Sequence, residues 1–67
     1  MAAHYEYRVV AHIPEDDEWA DQEVVSARRH TTTEAAMQEM SRPLKRGYPE
    51  GTERYIEVRS YTDWERL

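Results

Sequence analysis

The chain has 67 residues, a formal net charge of −5 and no cysteine. A chain of this length forms one domain, over 1–67, and buries only about 60% of the surface that its unfolded form exposes. The missing cysteines exclude disulfides and thiolate zinc sites. No long apolar run and no basic region before an apolar stretch is present, so we expect no membrane span, no signal peptide and a cytoplasmic location.

Strong hydrophobic residues are scarce, with five Val, two Ile, two Leu and no Phe. Five Tyr, two Trp and three Met supply the remaining bulk. We therefore expect a folded domain whose core uses aromatic rings with polar tips, each of which needs a hydrogen-bond partner or water at the edge. Self-association would add the burial that so small a core lacks.

Alternating apolar and polar residues from Tyr5 to Ile13 predict the first strand. One face carries Tyr5, Tyr7, Val9, Ala11 and Ile13, and the other carries Glu6, Arg8, Val10 and His12. Pro14 ends the strand because it cannot donate to a sheet ladder. The acidic stretch from Pro14 to Ala20 predicts a loop, with a short helical turn as the alternative, because proline is common at the first helical position.

A second strand is predicted over Glu23 to His30, where Val25 and Ala27 share a face with good spacing. The surrounding positions are polar, so the pattern is less regular than in the first strand. The strand would end where a run of three threonines begins.

A helix is predicted to begin near Thr33. Either Thr31 caps it, in a capping box with Glu34, or Thr32 is the cap. The apolar stripe that faces the sheet consists of Ala36, Met37, Met40 and Leu44. Pro43 would clash in a helix interior, so the regular helix is expected to end near Ser41.

The segment from Arg46 to Thr52 contains both glycines and predicts a loop. Alternation returns from Glu53 and predicts a third strand as far as Trp64. One face would carry Ile56, Val58, Ser60, Thr62 and Trp64, and the other Tyr55, Glu57, Arg59, Tyr61 and Asp63. The elements together predict an α+β domain of ββαβ topology, with a three-stranded antiparallel sheet in the order 2-1-3 and one helix packed on one face.

The acidic charge is concentrated in the connection after the first strand. This acidic loop contains Glu15, Asp16, Asp17, Glu18 and Asp21. It has no glycine and does not match the calcium-loop pattern, and its bunched carboxylates fit a DNA mimic less well than carboxylates spread over a face. We interpret it as a solvated loop that keeps a marginal domain in solution and discourages edge pairing.

No catalytic or cofactor-binding motif is present. His4, His12 and His30 have no nearby cysteine or paired histidine, so surface positions are expected and no metal site is predicted. The serines lack a glycine-flanked elbow, and two glycines do not make a phosphate-binding loop. We expect no enzyme activity and no cofactor.

Basic residues are dispersed among acids, which disfavours nucleic-acid binding. Arg42, Lys45 and Arg46 lie where the helix ends, where they would offset the negative end of its dipole. Arg28 and Arg29 precede the helix and would join them in a small basic patch. Such a patch could meet an acidic partner or the acidic loop of a second copy.

The sheet face opposite the helix is the predicted partner-binding surface. Tyr and Arg are enriched at the centres of protein interfaces. The predicted contact residues are Arg8, Val10, Tyr55, Arg59 and Tyr61. A homodimer formed through open faces or edge strands would supply the missing burial.

The stretches YEYRVVAHI, RRHTTTEAA and YTDWERL resemble short uncharacterised open reading frames of actinobacteriophages and their hosts. The resemblance implies a phage origin and a host-cytoplasmic location, without assigning a site. The main hypothesis is a non-enzymatic protein-protein interaction module, acting as a homodimer and binding a host protein that is not identified. The alternatives are a nucleic-acid-associated or DNA-mimic regulator, and a small structural or accessory virion component.

Overall fold

The computed structural model describes residues 4–44, 46–60 and 63–67. The elements are β1 (Glu6–Ile13), β2 (Gln22–Val25), α1 (Thr33–Met40), β3 (Glu53–Arg59) and β4 (Glu65–Arg66). The strands form one antiparallel sheet in the order β2-β1-β3-β4. The predicted α+β class and the order 2-1-3 are confirmed, and a fourth strand extends the sheet.

The predicted third strand was too long. β3 ends at Arg59, and the chain then reverses so that Glu65 pairs with Val58 on the outer side of β3. The amide of Leu67 continues this pairing by donating to the carbonyl of Ile56 at 2.8 Å. Alternation persists on both sides of the reversal, and no Gly or Pro marks it, so the pattern reads as one strand.

The predicted second strand has a different extent. β2 begins at Gln22 and ends at Val25, and the chain returns to β1 only at His30, which forms an isolated bridge with Tyr7. Between them the Ser26 hydroxyl accepts a hydrogen bond from the Arg28 amide at 3.3 Å. A local side-chain bond of this kind competes with the sheet ladder and accounts for the excursion.

The connection from Pro14 to Ala20 is a loop, and the helical alternative is not realised. The Asp16 carboxylate accepts hydrogen bonds from the amides of Glu18 at 2.8 Å and Trp19 at 2.7 Å. Aspartate favours such turns because its short side chain can satisfy amides two or three residues ahead.

The helix begins at Thr33 and ends at Met40, as predicted. Thr32 is the N-cap, and its hydroxyl accepts from the Ala35 amide at 3.2 Å, so the box with Thr31 is not used. The prediction that Met37 faces the sheet was wrong, because its side chain is 62% exposed. Ala36 is fully buried, and its small side chain lets the helix approach β1 and β3 closely.

The core lies mainly on β1. The buried apolar side chains among the described residues are Val9, Val10, Ala11, Ile13, Ala36 and Ile56. Val9 lies opposite Ile56 on the face under the helix, whereas Val10 lies opposite Tyr55 on the other face. Both faces of β1 are therefore buried, although a single buried face was predicted.

Candidate functional site

The predicted partner-binding residues share one face of the sheet. The register pairs Arg8 with Glu57, Val10 with Tyr55, and Glu6 with Arg59. Because directly paired residues in a sheet lie on the same side, the predicted grouping of Arg8, Val10, Tyr55 and Arg59 is present. Tyr61, the fifth predicted contact, lies outside the described residues.

These side chains are already engaged within the chain. Arg8 Nε donates to Glu57 Oε1 at 2.7 Å, Arg8 Nη2 lies 2.7 Å from the same oxygen, and Arg59 pairs with Glu6 at 3.0 Å. Val10 has no exposed surface. A partner that approached this face would meet neutralised ion pairs.

Trp64 covers part of the same face. Its ring lies 4.2 Å from the Arg8 guanidinium carbon, 4.6 Å from that of Arg59 and 5.4 Å from that of Arg29. The alternation had placed Trp64 under the helix, and this is wrong because the reversal before β4 brings the ring to the opposite face. Arginine stacking on tryptophan is favourable, so the chain's own C-terminal segment occupies a surface that was predicted to be open.

The Tyr55 side chain contacts residues of both β2 and β4. Its hydroxyl donates to the Glu23 carboxylate on β2 at 2.7 Å, and the Arg66 guanidinium lies 4.3 Å from its ring centre. The hydrogen bond to Glu23, with burial and the nearby negative charge, raises the pKa of Tyr55 to about 12. This contact links β2 to β3 across the face of β1.

The outer edge of β2 is the longer of the two sheet edges, since the other edge strand, β4, has two residues. Tyr7 and His30 exchange both backbone hydrogen bonds, at 2.8 and 2.9 Å, and Ser26 donates to Val9 at 2.9 Å. Hydrogen-bonded and non-hydrogen-bonded pairs alternate in an antiparallel ladder. The backbone groups of Val24, opposite Ala11, therefore point toward β1, and those of Glu23 and Val25 point outward.

The side chains of β2 are also exposed to solvent. Val24 is 37% and Val25 40% exposed, and every residue of the strand is classed as exposed. Within the described residues the helix contacts β1 and β3 but not β2, which leaves the helix-side face of β2 open. Exposed hydrophobic residues on an unpaired edge are a template for pairing with another strand.

An open cleft of about 420 Å³ occupies the space between β2 and the end of the helix. Its floor is apolar and includes Val9, Ala11, Val24 and Leu44, and its lining includes Arg28 and Arg42. Both arginines are exposed. The predicted basic patch is therefore real for these two residues, while Lys45 lies outside the described residues and Arg29 turns toward Trp64.

Arg54 is a residue whose role the sequence analysis missed. From β3 it donates to the carbonyls of Met40 at 2.8 Å and Arg42 at 2.6 Å, and more weakly to that of Glu39 at 3.5 Å. The last turn of the helix contains no basic residue, so Arg54 satisfies carbonyls at the helix end, whose dipole Arg42, Lys45 and Arg46 were expected to offset. The contact is non-local, and no local pattern indicates it.

Glu39 lines the cleft, and it pairs with His30, which is largely buried although a surface position was expected. Their side chains are 2.6 Å apart, and both are largely buried. Burial raises the pKa of Glu39, but hydrogen bonds with His30 and Ser26 and the charges of His30 and Arg28 together outweigh it, so that the pKa lies below the ordinary value of 4.5. The pair joins the bridge at His30 to the helix.

The acidic loop is exposed along Glu15, Asp16, Asp17, Glu18 and Asp21. Asp21 lies 2.5 Å from His12, and Asp16 is used in the turn described above. Glu15, Asp17 and Glu18 form no ion pair within the described parts of the chain. Their charge is free for a partner.

No protein-family model, curated protein or solved structure matches the chain. In residues 4–44, 46–60 and 63–67, no helix is long and apolar enough to cross a membrane, and no three His, Asp or Glu side chains gather as a metal site.

Proposed function

We propose that the chain is a non-enzymatic protein-protein interaction module that acts as a homodimer. The observation that carries this proposal is the bare outer edge of β2, with outward backbone groups at Glu23 and Val25 and exposed side chains at Val24 and Val25. Edge strands in stable monomers are normally blocked by charge, proline, bulges or a covering segment. Here the valines remain exposed.

The size of the core supports the same conclusion. Only Ile13 and Val10 are large side chains with less than 2% exposure among the described residues. A sheet with one eight-residue helix over two of its strands leaves much apolar surface in water. Burial between two copies would add to the small free energy of folding that such a core supplies.

The sheet face opposite the helix is a second surface for a partner, but its arginines are paired with Glu57 and Glu6. Nucleic-acid binding depends on free positive charge that can neutralise phosphates. The ion pairs therefore favour a protein partner over a nucleic acid. Binding of a host protein by a phage factor stays a proposal that rests on the sequence resemblance.

Sedimentation velocity over a hundredfold range of protein concentration tests the homodimer. We expect the mass to rise from near 8.0 kDa toward twice that value as the concentration increases. A mass that stays at 8.0 kDa up to millimolar concentration would contradict the proposal.

A further inference from the structure

We infer that two copies pair through antiparallel β2 strands, and that the acidic loop of each copy lies against Arg28 of the other. The inference rests on the proposed function, because it names the surface through which the homodimer forms. It would join two four-stranded sheets into one continuous sheet of eight strands.

The outward backbone groups select the register. Within Gln22–Val25, only Glu23 and Val25 direct their N–H and C=O groups away from β1. If Glu23 of each copy pairs with Val25 of the other copy, all of these backbone groups form hydrogen bonds. The two-fold axis then passes beside Val24, which faces its counterpart as a closely spaced non-hydrogen-bonded pair.

The axis of an antiparallel pair is perpendicular to the sheet, so both helices lie on the same face. The two open clefts then face each other across the seam, with the Val24 side chains between them. Burial of Val24, which is 37% exposed in the single chain, removes apolar surface from water. The helix does not obstruct this approach, because it lies over β1 and β3.

The charges are complementary in this register. The acidic loop precedes Gln22, so it lies at the end of the seam where the second copy continues past Val25 toward Arg28. Arg28 forms no ion pair with a carboxylate among the described residues, and Asp17 and Glu18 are also unpaired. Opposite charges that meet across an interface favour the correct partner and orientation.

The antiparallel arrangement also separates the two acidic loops. Each loop precedes the start of β2, so antiparallel strands place the loops at opposite ends of the seam. Parallel pairing would bring ten carboxylates of the two acidic loops together, five from each copy. Like charges opposite one another destabilise a strand pair, so the loop selects against the parallel dimer.

A charge-exchange experiment tests the contact. Variant one is Arg28→Glu, and variant two is Asp17→Lys with Glu18→Lys. Each alone is expected to dimerise about tenfold more weakly than the unchanged chain, since like charges then face each other. An equimolar mixture is expected to form a heterodimer at nearly the original affinity, because both loop contacts again join opposite charges.

Matched controls carry the same change in net charge elsewhere. Arg46→Glu corresponds to variant one, and Glu50→Lys with Asp63→Lys corresponds to variant two; all three positions are exposed. Both controls are expected to dimerise within about twofold of the unchanged chain. Sedimentation equilibrium of each sample, after circular dichroism confirms folding, supplies the affinities.

The strand pairing is tested separately with Val25→Pro, which removes an outward N–H, against Val25→Thr, which keeps it and the branched shape. Loss of the dimer in the first variant and its retention in the second support the seam. If the unchanged chain is monomeric, the proposed function fails. If it is dimeric but unaffected by Arg28→Glu and Val25→Pro, or if mixing restores no affinity, only this inference is overturned.

Discussion

Val10 shows how a residue assigned to an open surface becomes part of the core. The alternation of the first strand placed it on the uncovered face, and its register with Tyr55 confirms that placement. The face is covered at this point, since Val10 has no exposed surface. Val25 and Tyr55 flank it on the neighbouring strands, and their bulk excludes water.

We predict that Val10→Ala lowers the free energy of unfolding by about 2 kcal/mol, through lost burial and a residual cavity. Met37→Ala removes a larger side chain from an exposed position and should change the free energy of unfolding by only about 0.5 kcal/mol. Urea denaturation at one fixed protein concentration compares them. Equal losses in the two variants would contradict the described burial.

Tyr55 is the residue whose ionisation best reports the contact between β2 and β3. The raised pKa, about 12 against an ordinary 10.0, means that the folded chain favours the protonated phenol. Its contribution to stability is fully present below pH 10 and is lost as the pH rises through about 12.

The change Glu23→Gln should lower the pKa of Tyr55 toward 10.0, because the charged acceptor of its hydrogen bond is removed. The titration can be followed by the ¹³C shift of the Tyr55 ring carbon that bears the hydroxyl. A pKa that does not fall in the variant would show that Glu23 is not the cause.

At the scale of elements, the helix illustrates what can be predicted from sequence and what cannot. Its start at Thr33 follows from a cap bond between Thr32 and Ala35, three residues apart, and such local chemistry is visible in the sequence. Its end depends on Arg54, twelve to fifteen residues away along the chain. That contact exists only once β3 has paired with β1.

We predict that Arg54→Met, which keeps the apolar stem but removes the donors, lowers the free energy of unfolding by about 1–2 kcal/mol. The carbonyls of Met40 and Arg42 would lose their partner. Arg46→Met, at an exposed position, is the control and should cost about 0.5 kcal/mol or less. Thermal unfolding followed by circular dichroism checks the difference, and similar losses would contradict the capping role.

The strands also divide into those that a local sequence pattern predicts and those that it does not. β1 was predicted because alternation over eight residues is a strong local signal. The reversal into β4 was missed because alternation does not record the direction of the chain. The position of Trp64 against Arg8 and Arg59 was missed for the same reason. The predicted contact residues therefore share a face, as expected, while the ring that covers them was assigned to the other face.

At the scale of the whole molecule, the shape indicates an incomplete core. The radius of gyration is 13.3 Å, against about 11 Å for a compact chain of 67 residues. A four-stranded sheet covered by one short helix has this form. Composition had indicated that the domain needs more burial, but it could not say where; the exposed β2 edge is the location that we propose.

The acidic loop has a second role in the proposed dimer. As an isolated segment it is a solvated loop, and its charge discourages edge pairing. In the proposed dimer, the loop would permit antiparallel pairing and oppose parallel pairing. The same carboxylates would then discourage pairing with other strands and favour this one.

Nuclear magnetic resonance on a mixture of ¹³C,¹⁵N-labelled and unlabelled chain tests the dimer most directly. Isotope-filtered experiments should show contacts between the Val24 methyl groups of the two copies, and the amides of Glu23 and Val25 should exchange slowly at high concentration. Rapid exchange of both amides, with no contact between copies at Val24, would contradict pairing through β2.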